Sequence, residues 1–333
     1  MREVEELVER AVRRRAGLVI GVRRGDDTSV VGRAHHGPHP DGRTLFEIGS
    51  ITKTFTSLLL ADGVVRGVWS LDDPVQALLP PGTVVPTCDG AEITLAHLAT
   101  HTSGLPNAPV PLLRGSVEML RGRDPYARLT PDGLLAALAG ATLARTPGTG
   151  GVHYSNLGVG VLGQALAHAA GTSYAALVEQ RVCRPLGLVD TATHDRLTDE
   201  QRARLAPGHR GRRRPADPWP LDGLPGAGAL RSTADDVLRY LAAQLEPDTT
   251  PLADAVRLTQ QPRVEGRQPI GLGWLRNDGP DELWWHNGGT GGFRSFAGFV
   301  PARRTAVVVL SNHARSVDLL GLRTLRLVTE GPR

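Results

Sequence analysis

Lysine is almost missing from this chain of 333 residues: Lys53 is the only one, and the other 37 basic residues are arginine. Surface charge and ion pairs therefore fall to guanidinium groups, which stay protonated and cannot act as general bases. Cysteine is nearly as scarce, and Cys88 and Cys183 do not make a disulfide framework. Aromatic residues are 4% of the chain, too few for a base-stacking platform. The one dense basic run, Arg210-Gly-Arg-Arg-Arg214, is broken by glycine and flanked by Pro207 and Pro215, the pattern of a solvated loop. These features argue against a nucleic-acid partner. No apolar run reaches the length of a membrane span. Residues 1–15 read as a charged amphipathic helix with Val4, Leu7, Val8 and Val12 on one side, without the apolar core of a signal peptide. No membrane partner is expected, and the chain reads as cytoplasmic.

What is present fits a globular protein. Hydrophobic residues are 40% and charged residues 22%, with a net charge of +4. The length suits one large domain or two that share an interface. Forty glycines and 25 prolines imply many turns, without a repeat or a low-complexity tract.

The lone lysine sits in Phe46-Glu47-Ile48-Gly49-Ser50-Ile51-Thr52-Lys53. Here a β-rich run ends in a serine, and a helical pattern follows. Residues three apart on a helix share a face, so Lys53 reaches the Ser50 hydroxyl. A serine before an apolar run is commonly only an N-cap. A chain that uses arginine everywhere else, however, uses lysine once, for a task arginine cannot do. A neutral lysine amine can take the proton that makes a serine hydroxyl nucleophilic.

Hydrophobic periodicity places short strands at 18–22, 29–34 and 44–48, the first two as a hairpin around Gly25-Asp26-Asp27. A largely buried helix is expected over 50–66. Helical pieces follow at 95–100, 115–120, 131–139, 157–169 and 174–182, and a long loop at 202–228. A helix at 233–244 precedes strands at 273–276, 282–286, 295–300 and 305–310 and a last helix at 317–327. The expected fold is α+β, with a sheet assembled from both chain ends and a helical insertion. Residues 1–66 and 205–333 would form the sheet domain and 67–204 the helical domain, with Ser50 at their junction.

Two further stretches carry candidate chemistry. Tyr154-Ser155-Asn156 precedes a helix and offers a phenol and an amide; alone the spacing is weak, since most tyrosines are packing residues. His286-Asn287-Gly288-Gly289 closes a strand, and the Gly289 N–H is a candidate oxyanion donor. Other signals fail. Gly158-Val-Gly-Val-Leu-Gly163 matches a dinucleotide-binding pattern but lacks the strand before it and the acid after it. His97 and His101 have the spacing of a zinc pair, without the glutamate or the third ligand. There is no G-x-S-x-G elbow and no phosphate-binding loop.

Taken in order, Ser50-Ile-Thr-Lys53, Tyr154-Ser-Asn156 and His286-Asn-Gly288 resemble the serine β-lactamase and penicillin-binding protein superfamily. The resemblance is to its class C branch, which also holds D-alanyl-D-alanine carboxypeptidases, esterases and transacylases. The stretches 95–106, 154–188, 226–233 and 285–312 look like the same family. It implies an antiparallel sheet flanked by helices plus an all-helical domain. It further implies that Ser50 is acylated and that Lys53 is its base. The base role requires a pKa about three units below 10.4, roughly 4 kcal/mol. Tyr154 would pass the proton to the leaving group, and Asn156 would orient Lys53 and the substrate carbonyl. His286 and Gly288 stand where many members have Lys-Thr-Gly, and the oxyanion hole would be the N–H groups of Ser50 and Gly289. Histidine in place of that lysine fits carboxypeptidase-like and esterase-like members better than strong β-lactamases.

Gly288, Thr290, Trp284, Trp285 and Phe293 are assigned to substrate binding, with Trp219 beside them in an apolar acyl pocket and residues 106–128 as a lid. The expected activity is hydrolysis of a small ester or amide through an acyl-serine, without metal or cofactor. The alternatives are a biosynthetic transacylase or cyclase and a binding module without catalysis. The oligomeric state stays open.

Overall fold

The computed structural model describes residues 1–110, 115, 117–119, 123–211, 214–279 and 281–330. A six-stranded antiparallel sheet is drawn from both ends of the chain, in the order β2-β1-β11-β10-β9-β8. Its strands are β1 (Gly17–Arg24), β2 (Asp27–Ala34), β8 (Leu275–Asn277), β9 (Leu283–Gly289), β10 (Arg294–Val300) and β11 (Thr305–Ser311). Between them, β3 (Phe46–Glu47), β4 (Ala192–Thr193) and β7 (Leu230–Ser232) form a small second sheet, and β5 (His209–Gly211) pairs with β6 (Arg214–Pro215).

Alternation along the strands sorts two cores. Leu18, Ile20 and Val22 of β1 face the same side as Phe296, Val307 and Val309, where they meet Val4, Val8 and Val12 of the first helix and Leu325 of the last. Val19, Ala297, Phe299 and Val308 face the other side, onto the helices Thr52–Val65 and Ala234–Leu245. Close approach matters there, since a Cβ on Gly21 would stand 2.8 Å from Leu238 Cδ1. The first helix is amphipathic as its sequence pattern predicts, with Val4, Val8 and Val12 buried.

Helix starts follow cap chemistry. Thr130, Ser155, Ser173 and Thr233 each accept a backbone N–H of the first turn through the side-chain oxygen. Of the helix expected at 115–120, residues 116 and 120 lie outside the described residues, as do 111–114, 116 and 120–122 of the expected lid and Arg212 and Arg213 of the basic run.

Three expectations need correction. The strand expected at 44–48 is only Phe46–Glu47 and pairs with β7, not with the main sheet. Its neighbours also bond away from the main sheet: Leu45 N donates to Arg204 O, and Ile48 N to Leu230 O of β7. The long loop at 202–228 contains two short strands and a helical turn, Pro225–Gly228. The helix expected over 174–182 is α-helical only at Tyr174–Val178 and widens into a π turn over Glu179–Cys183.

Candidate active site

Ser50 lies in a single 3-10 turn, Gly49–Ile51, that feeds the helix Thr52–Val65. The turn needs Gly49, whose φ is +51°. A Cβ there would also stand 2.6 Å from the backbone N of Gly289, so β9 presses directly on the serine turn. Gly288 presses harder: its Cβ would lie 2.0 Å from Ile48 O, which already accepts a 2.7 Å hydrogen bond from Ser295 Oγ. Gly288→Ala is therefore expected to push β9 off the turn. We expect a stability loss of about 1–3 kcal/mol and at least a tenfold fall in kcat/KM, read by thermal melting and an ester assay.

The helix that follows is buried on all sides for most of its length, as expected. Some of its hydroxyls bond within the helix, as in the 2.8 Å bond from Thr54 Oγ1 to Ile51 O, while Thr56 Oγ1 also reaches across to Gly226 O at 2.7 Å. Lys53 is fully buried inside this packing. Its Nζ stands 2.9 Å from Ser50 Oγ, 2.8 Å from Asn156 Oδ1 and 2.6 Å from Ala227 O. Burial lowers its pKa from the usual 10.5 to about 7. A neutral amine has two N–H bonds and one lone pair, and the two carbonyl oxygens can only accept. They take both hydrogens, so the lone pair is left facing the Ser50 hydroxyl.

Tyr154 closes this group. Its ring centre lies 5.0 Å from Lys53 Nζ, 4.5 Å from the His101 ring and 6.3 Å from the His286 ring. Burial raises its pKa, against a hydrogen bond with Ser50, so the phenol keeps its proton at neutral pH. His286 is buried on β9, and burial together with the nearby Lys53 lowers its pKa to about 3. The neutral ring places Nδ1 2.6 Å from Asn287 O, so Nδ1 carries the hydrogen and Nε2 offers a lone pair. At the other end of β9, Thr290 N donates to Phe293 O. Alternation of the ladder then makes Gly289–Arg294 a non-bonded pair, with the Gly289 N–H turned away from β10 toward the serine turn.

Sequence reasoning passed over three residues that touch this group. Ala227 contributes only a carbonyl, which leaves no mark in a sequence. Asn107 fell in the expected lid, and His101 was weighed with His97 for a zinc-like spacing, yet the two histidines part company. His97 Nδ1 accepts Thr94 N–H to close a capping box, whereas His101, at φ +59°, sits buried against Tyr154.

The substrate-binding assignments fare worse. Trp285 points to the opposite face of β9 and stacks on Phe296, 6.1 Å away, in the core beneath the terminal helices. One residue along a strand reverses the face, and His286 holds the inner one. Trp284 is on the inner face but 1% exposed, its Nε1 bonded to Glu282. Phe293 packs edge-on against Phe46 and beside Gly208. Thr290 is buried near the Glu47 carboxylate, and Gly288 is buried beneath Ile48. All five are packing positions. Trp219, 7% exposed, also belongs to the core, where Tyr126 meets it edge-on.

Beneath the turn lies a buried ion pair. Arg231 on β7 donates to Glu47 on β3 at 3.0 Å, to Ala229 O and to Trp219 O. Glu47 also accepts Trp219 N–H. Burial pushes the Glu47 carboxyl up, and Arg231 pulls it back down.

The profile of the Beta-lactamase family matches residues 4–329. The chain belongs to the β-lactamase family. Among curated relatives, the D-alanyl-D-alanine-carboxypeptidase/endopeptidase AmpH of Escherichia coli (strain K12) is 31% identical over 290 residues, 81% of this chain and 71% of that protein. Esterase EstB of Burkholderia gladioli is 34% identical over 268 residues, 69% of this chain and 65% of the esterase. In structure, the β-lactamase/D-alanine carboxypeptidase from Yersinia pestis, solved with citrate, superposes with a TM-score of 0.79 at 25% identity, covering 98% of each chain. Family membership and these relatives make the chain a serine acyl hydrolase that works through an acyl-enzyme, with the β-lactamase/transpeptidase-like fold that the sequence implied. Among the described residues, no helix is long and apolar enough to cross a membrane.

Proposed function

We propose that Ser50 is the acylated nucleophile and that the substrate is a small ester or amide, most simply an ester. The observation that carries this reading is the buried Lys53 amine between the oxygens of Ser50, Asn156 and Ala227, with a pKa lowered to about 7 so that its neutral form, lone pair facing the Ser50 hydroxyl, is well populated near neutral pH. In the first half-reaction the hydroxyl proton passes to Lys53 Nζ as Ser50 Oγ bonds to the substrate carbonyl carbon. Negative charge then develops on the carbonyl oxygen, within reach of the N–H groups of Ser50 and Gly289. Collapse breaks the bond to the leaving group, which takes a proton from Tyr154; Tyr154 regains one from Lys53. Water repeats the sequence on the acyl-serine and releases the acid.

His286 can accept a hydrogen bond at Nε2 but carries no charge near pH 7, so it does not attract a substrate carboxylate as a lysine would. That favours an ester over a β-lactam or peptide with a free carboxylate. The curated relatives cited above are named for hydrolytic activities, which favours water over an amine or alcohol as the acceptor.

Intact-mass spectrometry after exposure to a fluorophosphonate and to short acyl esters tests the reading. Wild type is expected to gain one adduct, mapped to Ser50, and Ser50→Ala none. Ester turnover should proceed without added amine. An adduct that persists on Ser50→Ala rejects the nucleophile assignment.

A further inference from the structure

The segment 101–107 grips the catalytic loop from outside. His153 N donates to His101 O at 2.8 Å, Ser155 N to His101 Nδ1 at 3.2 Å, and Ser155 Oγ to Pro106 O at 2.7 Å. The last grip is on Asn156 itself. Its backbone N donates to Asn107 O at 2.7 Å, and its side-chain Nδ2 donates to Asn107 Oδ1 at 2.9 Å. Asn107 is exposed, and among the described residues its side chain has this one hydrogen bond.

That contact has a chemical consequence. An amide has a donor end and an acceptor end, and which one faces Lys53 decides what the lysine amine can do. With Nδ2 held by Asn107, Oδ1 faces Nζ at 2.8 Å and takes one of its hydrogens. If the amide turned over, its N–H would point at Nζ and occupy the lone pair that Ser50 needs. We infer that Asn107 is a positioning residue for the reaction: its side-chain oxygen fixes the Asn156 amide so that the Lys53 lone pair stays directed at Ser50. This deepens the proposed role of Lys53 and rests on it.

The groups facing Lys53 are Ser50 from its own turn, Asn156 and Tyr154 from the catalytic loop, His101 from the gripping segment and His286 from β9. Both histidines are held neutral by burial, and no ion pair among the described residues involves Lys53. A change in the orientation of Asn156, or a charge at position 107, therefore acts on Lys53 directly.

The test is the pH dependence of the second-order rate of inactivation by a fluorophosphonate, which reads acylation alone. The rate should rise with pH as Lys53 loses its proton. Asn107→Ala frees the amide; the lysine cation loses an acceptor and faces a donor. Its plateau should fall about tenfold, and its midpoint should move to lower pH. Asn107→Asp keeps the acceptor and adds a negative charge that stabilises the cation. Its midpoint should move up by about one pH unit with a plateau near wild type. A merely structural role would lower the plateau and leave both midpoints in place. Peptide mapping of the adduct separates the two claims. An adduct away from Ser50 in wild type overturns the nucleophile assignment and this inference with it. An adduct on Ser50 in all three proteins, with midpoints that coincide, overturns the role of Asn107 alone.

Discussion

Lys53→Met is expected to lower kcat/KM for an activated ester by about 10²–10⁴-fold at pH 8, the range for removing a general base from an otherwise intact site. Methionine fills a similar volume and brings no charge, so the fold should persist. In wild type, kcat/KM should rise through a midpoint near pH 7, where the buried amine loses its proton, and then level off. The variant should lack that midpoint. Stability also rises with pH, but over a higher range. In the unfolded chain the lysine holds its proton up to about pH 10.5, and in the folded protein only to about 7. Below pH 7 both states are protonated, and the whole cost of burying the cation, about 4–5 kcal/mol, falls on the folded state. Between 7 and 10.5 the unfolded state binds more protons, so wild type gains stability relative to Lys53→Met as pH rises. Above 10.5 the difference is constant. Denaturant melts of both proteins at pH 7 and pH 9.5 check this; a gap that does not change with pH would show that Lys53 is not held neutral.

Arg231→Met should destabilise the protein by about 3–5 kcal/mol, because Glu47 would be left buried and unpaired in the small sheet under Ser50. Both side chains are essentially inaccessible, and the guanidinium also holds the carbonyls of Ala229 and Trp219. Activity should fall as well, since Glu47 lies three residues before Ser50 and Ala227, which accepts from Lys53, lies just before β7. The double variant Glu47→Leu/Arg231→Met should recover much of the lost stability, because no uncompensated charge remains. Urea melts of the two singles and the double give the coupling directly. If Arg231→Met costs under about 1 kcal/mol, the pair is not what holds the turn.

The chemistry-bearing residues were legible in the chain because their signals are local. One lysine among arginines, three residues after a serine, marked itself as a candidate base, and Tyr154, Asn156 and His286 stood in short motifs whose order carried the family resemblance. The structure brings them together around Lys53. The helix caps at Thr130, Ser155 and Thr233 were equally local, and those helices start at or within a residue of the expected positions.

What the chain by itself determined, then, is the set of side chains gathered around Lys53, the α+β architecture with strands from both ends, and the run of helices between them. Tertiary structure alone decided the side of β9 on which each tryptophan falls, because register within a sheet is set by neighbours distant in sequence. It also decided that Phe46–Glu47 pairs with β7 through a buried ion pair. It decided, too, that Ala227 and Asn107 supply the oxygens that orient Lys53 and Asn156. Carbonyls and amides are present at every turn of a chain, and only folding selects which of them point at one amine.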